Sequence, residues 1–375
     1  MTPNDGPMRF LPIALSLFLL ASQPVAALAD LSRTVAMIFA GDSGAAGGDV
    51  NADGRATAAD VCGVLLGMRS PTEPGPFRVG VQQITFAKLS VTTGKPRVLV
   101  TDIWYPTDSE TGSINQALGG ILNAPLSDSA VALPLLMFSH GSCGFPGQSL
   151  FLTSLMASYG FIVAAPPHPG NEISDFPDCG TPAEQADSFF NREADVTFVI
   201  DSLLQLNADP TSFLYGAIDP ARIGMSGHSF GGQTTLRVCA DDARVIAGLA
   251  LAPALKPIQA LVPNIRVPMM VQDGSVDSVT PFADNAQATY DLLSPSKYLV
   301  EIENTGHLAF SDGCFFTVSD CGPGTLSQDE AHLYVLRYAI PFLVHWVAGD
   351  TRFDSFLAPS ATPPGALLTS DADLG

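Results

Sequence analysis

Positive charge is what this chain has least of. Seventeen Lys and Arg stand against 37 Asp and Glu, for a net charge of −20. A surface of that sign repels phosphate backbones and anionic membranes, which argues against a nucleic-acid partner. Cysteine is also sparse: the six are Cys62, Cys143, Cys179, Cys239, Cys314 and Cys321, and no two form a CxxC. Zinc or dithiol redox chemistry therefore has little support, whereas an even number in an exported chain suits disulfides. Thirty prolines and 34 glycines point to many loops, but an apolar fraction of 46% excludes global disorder.

The N-terminus reads as a secretory signal over residues 1–29. Arg9 precedes an apolar run, Phe10 to Ala21, and Ala27-Leu28-Ala29 offers a small-residue cleavage site before Asp30. Met8 is a second candidate start beside Met1. A retained membrane anchor is the alternative, but Pro12, Ser16, Ser22, Gln23 and Pro24 interrupt the run. The expectation is an exported protein, extracellular or periplasmic, that meets a membrane only if the signal stays uncleaved.

Residues 30–69 form a compositionally separate segment. Within it, Asp49 to Asp60 reads as a calcium loop. Oxygen side chains of Asp49, Asn51 and Asp53 stand at positions 1, 3 and 5, and Gly54 allows the turn at 6. Arg55 would give its carbonyl, Thr57 sits at position 9, and Asp60 closes the loop at 12. The competing reading is an Asp/Asn/Gly linker that binds nothing. With the helix-like run Ala58 to Met68, the segment resembles a dockerin-type EF-hand repeat. That resemblance implies a structural Ca2+ and a cohesin-like partner, although a dockerin has two repeats and this chain has one. Residues 70–76, rich in proline, then mark a linker.

From Phe77 the pattern alternates apolar strands with longer amphipathic stretches. Arg78 to Phe86 and Arg97 to Trp104 suit two antiparallel opening strands, and Thr107 to Ala130 a loop. Leu133 to Phe138, Phe161 to Ala165, Arg222 to Met225, Val245 to Leu251, Val267 to Val271 and Tyr298 to Ile302 suit buried parallel strands. Helices are expected over Gln148 to Tyr159, Arg192 to Leu206, Gln233 to Cys239 and Gln328 to Val347. The fold class is α/β, a mostly parallel sheet with helices on both faces over residues 77–350. Residues 351–375, rich in Pro, Ser and Ala, read as a loose tail.

Gly227-His228-Ser229-Phe230-Gly231 fits G-x-S-x-G between an apolar run and a helix-compatible run. There the serine sits on a strained strand-to-helix turn with its hydroxyl exposed. A serine needs a base, and the base needs a carboxylate to fix its tautomer. Among six histidines, His307 alone lies in a short loop directly after the last predicted strand, where sites in parallel sheets assemble. His140 and His228 lie inside Gly-rich turns and His168 in a Pro-Pro-His-Pro stretch, while His332 and His345 fall in the C-terminal helix and read as structural. The acid should follow the preceding strand; Asp277 lies in that loop, with Asp273, read as a turn former beside Gly274, in reserve. Two N–H donors are needed for the oxyanion: Phe230, after the nucleophile, and Ser142 in the Gly-rich Ser139-to-Gly144 loop, with Cys143 as the other choice.

Several stretches carry a family resemblance. They are Asp102-Ile103-Trp104-Tyr105-Pro106, Phe138-Ser139-His140-Gly141, Ala164 to Gly170, Asn191-Arg192-Glu193-Ala194-Asp195, the Ser229 motif and Gly306 to Phe310. With these, the segment from about residue 77 to 348 resembles an α/β-hydrolase, closest to the platelet-activating-factor acetylhydrolase type II and predicted dienelactone hydrolase group. Secreted cutinase-like polyester hydrolases look more distant, since they usually place Met where this chain has Phe230. The resemblance implies Ser229, Asp277 and His307 as catalytic residues, Ser142 and Phe230 as oxyanion donors, and no cofactor for catalysis. It implies a secreted serine esterase acting on short-chain acyl, lipid-like or polyester esters. Thioesterase or peptidase chemistry, and an inactive binding or scaffold protein, are the rival readings. Lids in this fold often sit between the strands at Leu251 and Val267; only Ala252 to Arg266 lie there, so an open site is expected. Cysteine placement suggests the pairs Cys314–Cys321, Cys143–Cys179 and Cys62–Cys239.

Overall fold

The computed structural model describes residues 49–50, 60, 70–175, 178–313 and 326–374. Alternation of buried and exposed residues makes β1 (Arg78–Leu89) and β2 (Pro96–Thr107) a long antiparallel pair, in register from Arg78↔Thr107 to Leu89↔Pro96. The apolar runs that follow are buried on both faces, as parallel strands between helical layers must be. They are β5 (Leu133–Ser139), β6 (Ile162–Ala165), β7 (Ile218–His228), β8 (Val245–Leu251), β9 (Met269–Gly274) and β10 (Lys297–Ile302).

Two short strands, β3 (Ile114–Asn115) and β4 (Gly120–Leu122), pair within the stretch expected to be a loop. The tail expected to be loose supplies β11 (Ala366–Asp371), antiparallel to β10. It is not loose because Leu368 is buried there and its backbone satisfies the last sheet edge. The strand order is β11-β10-β9-β8-β7-β5-β6-β2-β1-β4-β3, and β5 through β10 run parallel.

Helices cover both faces. Helices α1 (Leu150–Ser158) and α5 (Gln328–Trp346) pack into one core layer with Trp104, Phe138 and Tyr298. Helices α2 (Pro182–Ala208), α3 (Phe230–Asp241) and α4 (Ala286–Leu292) pack into the other with Ile103, Met137 and Val271. Helix α2 begins ten residues before the expected Arg192 because Thr181, Pro182 and Glu184 make a capping box with proline in the first turn. Between β8 and β9 there are only two single 3₁₀ turns, Lys256–Ile258 and Val262–Asn264. No helix among the described residues is long and apolar enough to cross a membrane.

The cysteines divide. Cys143 and Cys179 form a disulfide across 36 residues. Cys239 is a free, buried thiol facing Gly248 and Met269 beneath α3, so it is not bridged to Cys62 as expected; an apolar core slot holds it. Cys62, Cys314 and Cys321 lie outside the described residues.

The candidate active site

The parallel strands bring their carboxyl ends together, and the predicted residues gather there. β7 ends at His228 and α3 starts at Phe230, leaving Ser229 alone at the turn with φ 59° and ψ −116°. A side chain at positive φ carries strain, which the surroundings must over-determine. They do: the Ser229 amide donates to Leu251 O at 2.8 Å, and its carbonyl accepts from Gln233 N at 3.0 Å. The turn also needs glycine around it. A Cβ on Gly231 would collide with the Ser139 carbonyl, and one on Gly227 with the Gly231 carbonyl.

His307 opens a 3₁₀ turn just past β10, and Asp277 lies in the loop after β9. Ser229 Oγ is 2.8 Å from His307 Nε2, and His307 Nδ1 is 2.7 Å from Asp277 Oδ2. With Nδ1–H donating to the carboxylate, Nε2 is left to accept the serine proton. Asp277 Oδ1 accepts from the Val279 and Thr280 amides, both at 2.8 Å. Burial pushes the Asp277 carboxyl up, but the His307 hydrogen bond and charge, the Thr280 amide and the Asp273 side chain outweigh it, so it lies well below the usual carboxylate range.

Asp273 is not in a turn. It is the penultimate residue of β9, paired with Glu301 in β10, and fully buried. Burial first, and then the Asp277 charge, raises its carboxyl well above the ordinary value. Its Oδ1 accepts from Gly274 N at 2.8 Å, whereas Oδ2 meets no donor. A side-chain hydrogen bond between the two carboxyls raises Asp273 further and lowers Asp277, which makes Asp273 the donor of that pair.

Several contacts at the site had no signal in the sequence. Thr280 Oγ1 lies 3.0 Å from both Asp277 Oδ2 and His307 Nδ1. Gln148 Oε1 accepts from Gly141 N at 2.9 Å while its Nε2 donates to His228 Nδ1 at 2.9 Å. His228 Nε2 then donates to the His307 carbonyl at 3.0 Å. Burial first, and then the neighbouring His307, lowers His228 to about 3, so it stays a neutral spacer. The remaining histidines are structural: His332 stacks on Phe151 with ring centroids 3.7 Å apart, and His345 pairs with Asp354. His168 joins Ser139 and Asp195 in a second Ser-His-Asp array that is wholly buried and sealed from any substrate.

Beside Ser229 lies a cleft of about 390 Å³, lined chiefly by apolar surface that includes Phe145, Ile173, Val279 and Leu308. The loop 141–144 forms one wall, braced by the Cys143–Cys179 bridge, and Ser142 Oγ accepts from Asn171 Nδ2 at 3.0 Å. Phe230, as the first residue of α3, has an amide that helical bonding leaves unused.

The model of the PET hydrolase-like family matches residues 150–371. The chain belongs to that family. Bis(hydroxyethyl) terephthalate hydrolase of Streptomyces coelicolor is 24% identical over 247 residues, 65% of this chain and 67% of the relative. Cutinase est1 of Thermobifida alba is 25% identical over 240 residues, 64% and 68% of the two chains. Cutinase cut1 of Thermobifida fusca is 25% identical over 223 residues, 59% and 58%. Membership makes this chain a carboxylic-ester hydrolase on an α/β-hydrolase fold. It also brings forward the cutinase side of the superfamily, which the Phe230 position had made look remote.

Of the six expected calcium ligands, only Asp49 and Asp60 fall among the described residues. Asp49 Oδ2 accepts from Arg337 Nη2 of α5 at 2.6 Å, and Asp60 Oδ1 accepts from Val50 N at 2.9 Å. Asn51, Asp53, Arg55 and Thr57 lie outside.

Proposed function

We propose that the chain is an exported serine esterase whose nucleophile is Ser229, with His307 as base and Asp277 as acid. The observation that carries this is the continuous hydrogen-bonded line Ser229–His307–Asp277 opening onto an apolar cleft. His307 Nε2 removes the hydroxyl proton as Ser229 Oγ attacks the acyl carbon, and the Asp277 carboxylate stabilises the imidazolium. The amides of Ser142 and Phe230 hold the oxyanion, after which His307 protonates the departing alcohol. Water, deprotonated by the same histidine, then cleaves the acyl-enzyme and returns Ser229 to its starting state.

The substrate reading rests on two things. The relatives bear the names of a bis(hydroxyethyl) terephthalate hydrolase and of cutinases. The β8–β9 connection is short, so no domain inserted there covers the cleft. An ester of a short or aromatic acid, free or at the end of a polyester, fits such a site; the resemblance to platelet-activating-factor acetylhydrolases argues for short acyl groups. The signal-like segment supports export. The oxygen-rich run 49–60 suits calcium by ligand chemistry, with Arg337 competing for Asp49.

Hydrolysis of p-nitrophenyl acetate tests the reading. Ser229→Ala should lower kcat by about 10⁴-fold or more. Equal turnover by wild type and variant would end it.

A further inference from the structure

One buried cation lies beside the site without belonging to the triad. Arg192, on α2, is fully buried. Among the described residues its guanidinium makes no direct ion pair, and its close partners are neutral acceptors. Nη1 donates to His140 O at 2.6 Å and to Ser139 Oγ at 3.4 Å, and Nη2 donates to Gly141 O at 3.2 Å and Asn171 Oδ1 at 2.8 Å. The guanidinium carbon also sits 4.1 Å from the centre of the Phe230 ring.

Two of those partners, His140 O and Gly141 O, belong to successive peptide planes of the 139–144 loop. The His140–Gly141 plane is fixed at both ends, its carbonyl by Arg192 and its N–H by Gln148 Oε1. The Gly141–Ser142 plane has its carbonyl held by Arg192, by His140 Nδ1 at 2.8 Å and by Gly144 N at 3.2 Å. In a trans peptide the carbonyl and the N–H point in opposite directions. Holding Gly141 O on the buried guanidinium therefore turns the Ser142 N–H away from Arg192, and Ser142 lines the same cleft as Ser229. The planar fork of arginine can hold both carbonyls at once, which a lysine ammonium cannot do with the same geometry. The same guanidinium braces the ring of Phe230, the residue whose amide is the second donor.

We propose that Arg192 is a positioning residue: it fixes the Gly141–Ser142 peptide and Phe230 so that both N–H donors of the oxyanion hole are aimed before substrate arrives. This rests on the roles proposed above for Ser229 and Ser142. Preorganised donors act on the transition state and not on ground-state binding, so the effect belongs in kcat.

The test compares wild type with Arg192→Met and Arg192→Lys on p-nitrophenyl acetate and its thionoacetate analogue, whose sulfur gains less from N–H donors. Rates are expressed per active site counted by fluorophosphonate labelling of Ser229. For Arg192→Met, ester kcat should fall by about 10²-fold, as for loss of one oxyanion donor, with KM changed by less than about threefold. Thionoester turnover should fall far less, so the preference for oxygen over sulfur collapses; Arg192→Lys should lie between. Ester and thionoester falling by one common factor, or ester kcat per labelled site unchanged, would overturn the proposal. If Arg192→Met does not fold, Arg192→Lys carries both readouts. Absence of labelling at Ser229 in the wild type would instead show that the nucleophile assignment had failed.

Discussion

At the scale of residues, the two aspartates after β9 have separate physical roles. Asp277 is aimed at His307 with its carboxyl held down, whereas Asp273 is buried behind it with its carboxyl raised. Asp277→Asn should therefore cut kcat by about 10³–10⁴-fold, since the amide selects the wrong histidine tautomer. Asp273→Asn keeps a donor toward Asp277 and should cost less than about tenfold in kcat, the scale of one neutral hydrogen bond. A measured order the other way round would exchange their roles. That Ser229, His307 and Asp277 come together could be read from the chain because motif order and strand ends constrain them. Thr280, Gln148, His228 and Arg192 could not, because each makes a contact 27 to 80 positions away and these residue types have many uses.

At the scale of elements, the strands were legible because burial on both faces leaves continuous apolar runs. Helix α4 and strands β3, β4 and β11 were not, being segments of two to seven residues, too short to show a period. The site depends on one helix start in particular. Asp312 Oδ2 accepts from Leu150 N at 2.5 Å at the head of α1, and the Asp312 amide donates to Gln148 O at 2.7 Å. Burial, opposed by the Leu150 and Phe151 amides, raises this carboxyl to about 6. A folded value above the unfolded one means the protonated form favours the fold. That contribution is complete below about pH 4 and lost as pH rises through about 6. Asp312→Asn keeps the accepting oxygen and removes the charge. Relative to wild type, it should gain on the order of 2 kcal/mol between pH 4 and pH 7.5 in denaturant unfolding. A difference independent of pH would refute the assignment.

At the scale of the whole molecule, the family match runs from α1 to β11, so the C-terminal edge strand is part of the hydrolase unit. The N-terminal segment touches that unit through the buried Asp49–Arg337 pair. If the loop from 49 to 60 takes calcium, the ion must share Asp49 with that arginine. Calorimetry should then detect binding to the full chain and a loss of at least about tenfold in affinity in Asp49→Ala; heat-silent titration of the intact protein would refute the loop. Ser229 as nucleophile can be trapped with a p-nitrophenyl phosphonate ester, because its tetrahedral adduct does not hydrolyse. One equivalent of p-nitrophenol should be released, with loss of esterase activity and the adduct on the peptide that carries Ser229, and none of these should occur in Ser229→Ala. Full inactivation with the adduct on any other residue would contradict the nucleophile assignment.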